Sequence, residues 1–157
     1  MTGWRLGWAL GPDPVIAAMN KYQSQSVSCA CSFSIAAGVQ AINEGEPELK
    51  EAVALLKTRR DFVYSELSKI EGIEVEAPQG AFYIWPNVSQ FLGKKFNGNV
   101  LKTTKDFSSA LLEDQMVVAV PGVEFGLDGY LRISYALEQT RMQEAIDRIA
   151  NFISKIQ

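Results

Sequence analysis

Two arginines stand at positions in this 157-residue chain where an arginine needs a reason. Arg5 lies in "WRLGWAL", residues 4–10, a run that is apolar apart from Arg5 and Gly7. A guanidinium stays charged in proteins, so burying one without an anion is costly. It must meet a carboxylate or a phosphate, and its planar fork suits either. An internal salt bridge to one of the 18 acidic residues and an external anion are both open at this level. Arg132 lies in "GVEFGLDGYLRISYA", residues 122–136. On strand alternation Tyr130, Arg132 and Ser134 share one face, and Leu131, Ile133 and Tyr135 share the other. The second trio is a core face. The first trio offers a phenol, a guanidinium and a hydroxyl, a donor set fit for a small anion. Gly122, Gly126 and Gly129 permit tight turns just ahead of it. A solvent-facing strand arginine would look the same, so this alternative also stays open.

Other chemistry is narrowed by what the composition lacks. With no histidine, neither a Ser-His nor a Cys-His nucleophile pair can be built from these residues. Any reaction would need carboxylates, lysine, tyrosine or a cofactor. Cys29 and Cys31 form a Cys-x-Cys pair, but without histidine or a second pair the usual zinc ligand set cannot be assembled. They read as small, buried thiols of a reducing compartment, and no metal is expected. The net charge is −3 and the basic residues are scattered, which speaks against nucleic acid as a partner. No apolar run approaches the roughly 18 residues of a membrane span. No basic segment leads into an apolar leader. The reading is a cytoplasmic protein that does not touch membranes.

Elements must position the arginines. Arg5–Leu10 is expected to be a short strand, closed by the Gly11-Pro12-Asp13-Pro14 turn cluster. A short helix follows, with Asp13 as N-cap and Pro14 at its first position. "YQSQSVSCACSFS", residues 22–34, reads as a loop, and residues 33–43 as a helix. Pro47 opens a long helix with Leu49, Ala52, Leu56, Val63, Leu67 and Ile70 along one stripe, ended by Gly72. It is long enough to bridge two domains. Beyond it come strands at "IEVEA" and "AFYIW", a loop rich in Gly, Lys and Asn, and a helix over 104–114. Strands at "MVVAVPG" and "YLRISYA" and a final helix over 139–154 complete the order. The expected fold class is α/β in the α+β sense: a small, mainly antiparallel sheet with helices on one side.

Three of these stretches together resemble one family, the fold-type I pyridoxal-phosphate aminotransferases of class I/II, and within it the aspartate aminotransferase group. "MTGWRLGW" is similar to the end of the lysine motif Ser-Lys-x-x-x-Met-Thr-Gly-x-Arg. "PQGAFYIWPNV" resembles the segment that begins the small domain's sheet, and "VAVPGVEFGLDGYLRISYA" resembles the substrate-carboxylate motif. The resemblance implies that Arg5 binds the phosphate of pyridoxal 5'-phosphate and that Arg132 binds the α-carboxylate of an amino-acid substrate. It implies a Schiff-base lysine upstream of Met1, so that no catalytic residue lies in this chain and the chain alone is inactive. It implies amino-acid and 2-oxo-acid substrates, aspartate or similar, and a homodimeric parent. Residues 1–45 would be a remnant of the large domain, and residues 46–157 the C-terminal small domain with its bridging helix. A non-catalytic binding or assembly module derived from that fold is the alternative.

Overall fold

In the computed structural model the backbone is described for residues 1–157 and the side chains for all of them except Thr2. The chain divides into two compact units, Met1–Ala52 and Val53–Gln157. The division falls within a helix, a few residues beyond the 45/46 boundary expected from the sequence.

The first unit is mostly helical. A 3-10 turn at Thr2–Trp4 is followed by α1 (Asp13–Ser26), α2 (Ser32–Glu44) and the start of α3 (Glu46–Leu67). The strand expected over Arg5–Leu10 is not formed. Arg5 itself has φ 51°, the left-handed region that a strand residue does not adopt. A strand also exists only by pairing, and among the described residues no segment pairs with this one. Pro12, not Asp13, is the N-cap of α1, and Asp13 is its first helical residue. The expected loop over residues 22–34 shrinks to residues 27–31, because α1 runs on to Ser26 and α2 begins at Ser32. Tyr22, Gln23 and Gln25 are tolerable helix residues in spite of Ser24 and Ser26 beside them. Cys29 and Cys31 lie in the shortened loop and are free and exposed, not buried. No core forms around them, since Ser34 is the only buried residue among those described in this unit. Trp8 is 73% exposed and Leu10 87%.

The second unit holds the core. Its three-stranded antiparallel sheet has the order β1-β5-β4, with β1 at Tyr83–Ile84, β4 at Val120–Pro121 and β5 at Leu131–Ser134. In register, Tyr83 lies opposite Ser134 and Val120 opposite Arg132. The strand expected at "IEVEA" is reduced to a single bridge between Glu74 and Asn87. The loop rich in Gly, Lys and Asn is instead a hairpin of β2 (Lys95–Phe96) and β3 (Asn99–Val100). Asn97 (φ 47°) and Gly98 (φ 81°) make its turn, and an Asn-Gly pair is suited to that geometry. Helices α4 (Thr104–Gln115) and α5 (Gln139–Ile153) supply Phe107, Leu111, Met142, Ile146, Ile149 and Phe152 to the core. Phe107 and Phe152 meet edge to face at 5.1 Å. Val63 and Leu67 from the end of α3 join them, whereas Leu49 further up the same stripe is exposed.

The turn ahead of β5 is tied down from two sides. A Cβ on Gly122 would come within 2.2 Å of the Leu127 carbonyl oxygen, so only glycine allows the chain to fold back there. Asp128 accepts hydrogen bonds from the Thr104 hydroxyl, from the Thr104 amide at 3.0 Å and from the Gly129 amide at 2.9 Å. One carboxylate thus anchors the turn and serves the N-terminus of α4. These donors hold the Asp128 carboxyl below the ordinary aspartate value of 3.8, the Thr104 hydroxyl contributing most.

A depressed folded-state pKa means that the unfolded chain binds the proton first as pH falls. The Asp128 contribution is therefore complete above the unfolded value and is lost as pH drops through the folded one. Asp128→Asn should cost about 1 kcal/mol at pH 7, at the modest end because the carboxylate faces solvent. The difference between wild type and variant in urea denaturation should narrow toward pH 3; an equal gap at both pH values would show that the charge does not matter. A second expectation concerns the first unit. Its exposed apolar surface should make the 157-residue polypeptide, produced alone, bind a hydrophobic dye and elute early in gel filtration. A clean monomer with no dye binding would contradict this.

Candidate functional site

Arg132 sits in the middle of β5, between its neighbours β1 and β4. The strand alternates as its sequence requires. Leu131 and Tyr135 are buried, Ile133 packs against the core, and Tyr130, Arg132 and Ser134 stay partly accessible. The Tyr135 hydroxyl donates to the Ala81 carbonyl at 2.9 Å, which ties the end of β5 to the turn before β1. Burial pushes the Tyr135 phenol up, so it stays protonated and keeps this bond.

The guanidinium of Arg132 is held by rings, not by acids. Its Cζ lies 4.5 Å from the centre of the Tyr83 ring and 4.1 Å from that of Phe125. Trp85 meets Phe125 edge to face at 5.6 Å and stacks on Tyr130 at 6.0 Å and 16°. Among the described residues Arg60, Arg141 and Arg148 pair with carboxylates, while Arg132 has no carboxylate partner. Arg5 and Arg59 have none either, but only Arg132 is also flanked by two ring faces. A partly buried cation with its donors uncommitted is arranged to receive an anion, and a carboxylate fits the fork in a bidentate manner.

Of the donor trio read from the sequence, Ser134 accepts from the Ala136 amide at 3.3 Å through its hydroxyl oxygen, and Tyr130 is engaged with Trp85. The aromatic group around Arg132 lies outside that trio, apart from Tyr130. Tyr83 and Trp85 carry a signal, since they alternate with the buried Ile84 in "AFYIW" and so share the accessible face. Phe125 carries none, because its place depends on how residues 122–129 fold back.

Arg5 belongs to the first unit and Arg132 to the second. Arg5 is exposed, so it is not the buried cation that its apolar neighbours imply. Its fork, without a carboxylate partner, still fits one edge of a phosphate group. Among the described residues no group of three Cys, Asp or Glu side chains is gathered to hold a metal ion. Within them, no helix is long and apolar enough to cross a membrane.

Comparison with known proteins agrees with this architecture. The family described as "Aminotransferase class I and II" matches residues 1–149. An aspartate aminotransferase of Rhizobium meliloti (strain 1021) is 45% identical over 151 residues, which is 96% of this chain and 37% of that protein. A probable aspartate/prephenate aminotransferase of Rhizobium leguminosarum bv. phaseoli is 41% identical, over 97% of this chain and 38% of its own length. Among solved structures, the aspartate aminotransferase from Rhizobium meliloti superposes with a TM-score of 0.91 at 43% identity, covering 100% of this chain and 40% of that one. The aromatic aminotransferase from Pyrococcus horikoshii gives 0.82 at 33% identity, covering 98% of this chain and 40% of that one. The chain thus spans about two fifths of the length of its relatives. With a match over nearly its whole length and its sheet and helices shared with solved members, the chain belongs to the class I and II aminotransferases, a pyridoxal-phosphate-dependent family.

Proposed function

We propose that this chain supplies the substrate-carboxylate anchor and one cofactor-phosphate contact of an aminotransferase that moves an amino group between an amino acid and a 2-oxo acid. The observation that carries the reading is Arg132: a partly buried guanidinium with no carboxylate partner, held by the Tyr83 and Phe125 rings. Its two parallel N–H donors bind the α-carboxylate of the incoming amino acid. They fix the position of Cα, and with it the direction of the Cα–H bond to be broken. The same fork binds the carboxylate of the 2-oxo acid in the return half-reaction. Arg5 binds a phosphate oxygen of the cofactor. Pyridoxal phosphate, when bound, supplies the electron sink that makes the Cα proton removable.

The names of the similar proteins support aspartate or a related amino acid as substrate. In this reading residues 1–45 belong to the large domain and residues 46–157 to the small domain, the parent is a cytoplasmic homodimer, and the lysine that moves the proton lies outside these residues. The 157-residue chain alone is then inactive.

In the full-length protein, Arg132→Ala should raise KM for the amino acid and lower kcat/KM while cofactor stays bound. The loss should correspond to about 1.5–3 kcal/mol, the scale of a charge-assisted hydrogen-bonded pair. Loss of cofactor with amino-acid affinity intact would overturn the assignment. Arg5→Ala should do the opposite: the cofactor's visible absorbance should fade on dialysis sooner than in wild type, with amino-acid KM little changed in protein kept saturated with cofactor. Unchanged cofactor retention would remove Arg5 from the phosphate site.

A further inference from the structure

Neither ring that touches Arg132 is a core residue. Tyr83 and Phe125 both lie outside the cluster that fills the second unit, and Phe125 is 47% exposed. Hydrophobic burial therefore does not explain why a large aromatic stands at residue 125. Its neighbours are the Arg132 guanidinium and Trp85. The two rings reach the cation from different elements, Tyr83 from β1 and Phe125 from the 3-10 turn Gly122–Phe125 that follows β4. The turn is closed by Gly126 at φ 82°, whose amide donates to the Val123 carbonyl, and it is held further along by Asp128. The fold thus places Phe125 with little freedom.

We propose that Tyr83 and Phe125 are positioning residues that hold the Arg132 guanidinium by its faces and leave its N–H edge for the substrate carboxylate. This rests on the reading of Arg132 as the carboxylate anchor. A cation over an aromatic face is attracted by the ring quadrupole. A ring face attracts the cation without occupying its N–H edge as a carboxylate would. An aspartate in the place of Phe125 would fix the arginine more firmly, but it would compete with the ligand for the same N–H groups. Two rings restrict a long, flexible side chain and leave its binding edge uncommitted. A better-ordered anchor binds more tightly because less freedom is lost when the ligand arrives.

The test uses the full-length, cofactor-loaded protein and the amino acid for which it has the highest kcat/KM. Phe125→Leu and Tyr83→Leu should each raise KM about two- to fivefold, with kcat and cofactor retention little changed. Phe125→Tyr and Tyr83→Phe keep a ring and should recover most of the loss. In an Arg132→Ala background, Phe125→Leu should add no further loss, because the ring acts through the guanidinium. A direct readout is the Arg132 side-chain Nε–H resonance. Ring faces on both contacts should shift it upfield in wild type and in Phe125→Tyr, and Phe125→Leu should move it back. If Arg132→Ala raises KM while both leucine variants behave as wild type, the anchor stands and the positioning role is wrong. Additive losses in the Arg132→Ala background, or a leucine variant that keeps the upfield resonance, would also overturn it. If Arg132→Ala leaves KM unchanged, the anchor reading fails and this inference fails with it. Thermal melts of the leucine variants separate unfolding from misplacement, and the ring-keeping variants remain informative even if one leucine variant does not fold.

Discussion

The candidate site centres on one electrostatic feature: a guanidinium in the middle of a strand that has no carboxylate partner among the described residues. A carboxylate partner would be the simplest stabiliser, and Arg60, Arg141 and Arg148 use one. Arg132 has the faces of Tyr83 and Phe125 instead. A cation held in this way keeps most of its donor capacity. The rest of the site can be understood as what is needed to bring two rings from separate elements to one strand position.

That delivery depends on backbone geometry. Tyr83 arrives by pairing of β1 with β5, opposite Ser134, two residues along from Arg132. Phe125 arrives by a turn that only glycine at residue 122 allows, since the chain doubles back onto the Leu127 and Tyr130 carbonyls. Asp128 then ties this turn to the start of α4, and α4 is fixed by its own core residues Phe107 and Leu111. The packing of Phe107 against Phe152 is therefore connected to the direction of Arg132 through named contacts: helix to Asp128, Asp128 to turn, turn to Phe125, ring to guanidinium.

The first unit has a different balance. Its opening segment presents Trp8 and Leu10 to solvent and α2 presents Phe33 and Val39, and Trp4 packs edge to face on Phe33 without enclosing a core. Gly38 allows Leu6 to approach α2, since a Cβ there would meet the Leu6 side chain at 2.5 Å. Such a surface is what remains visible when a segment is made to pack against more protein than these residues provide. The chain's span of about two fifths of its relatives fits this.

Much of the second unit was legible in the sequence. Helices over 104–114 and 139–154 and strands around Tyr83 and Arg132 follow from periodicity, because each has one face that must be buried and another that must not be. The family was legible from three motifs. Other features were not. The strand expected over Arg5–Leu10 is not formed: its apolar residues suggest one, but pairing is a property of a sheet, and no segment among the described residues pairs with it. The hairpin at Asn97-Gly98 has a turn signal in its dipeptide, but its strands of two residues each are too short to show an alternation. Cys29 and Cys31 read as buried because their type usually is, yet burial depends on what surrounds a residue. What the sequence alone determined was which face of β5 holds Arg132 and which face turns to the core. What only the tertiary structure decided was who meets that charge: Phe125 and Tyr83 lie 7 and 49 residues away along the chain, and the contacts that join them to Arg132 exist only once strands pair and the glycine turn closes.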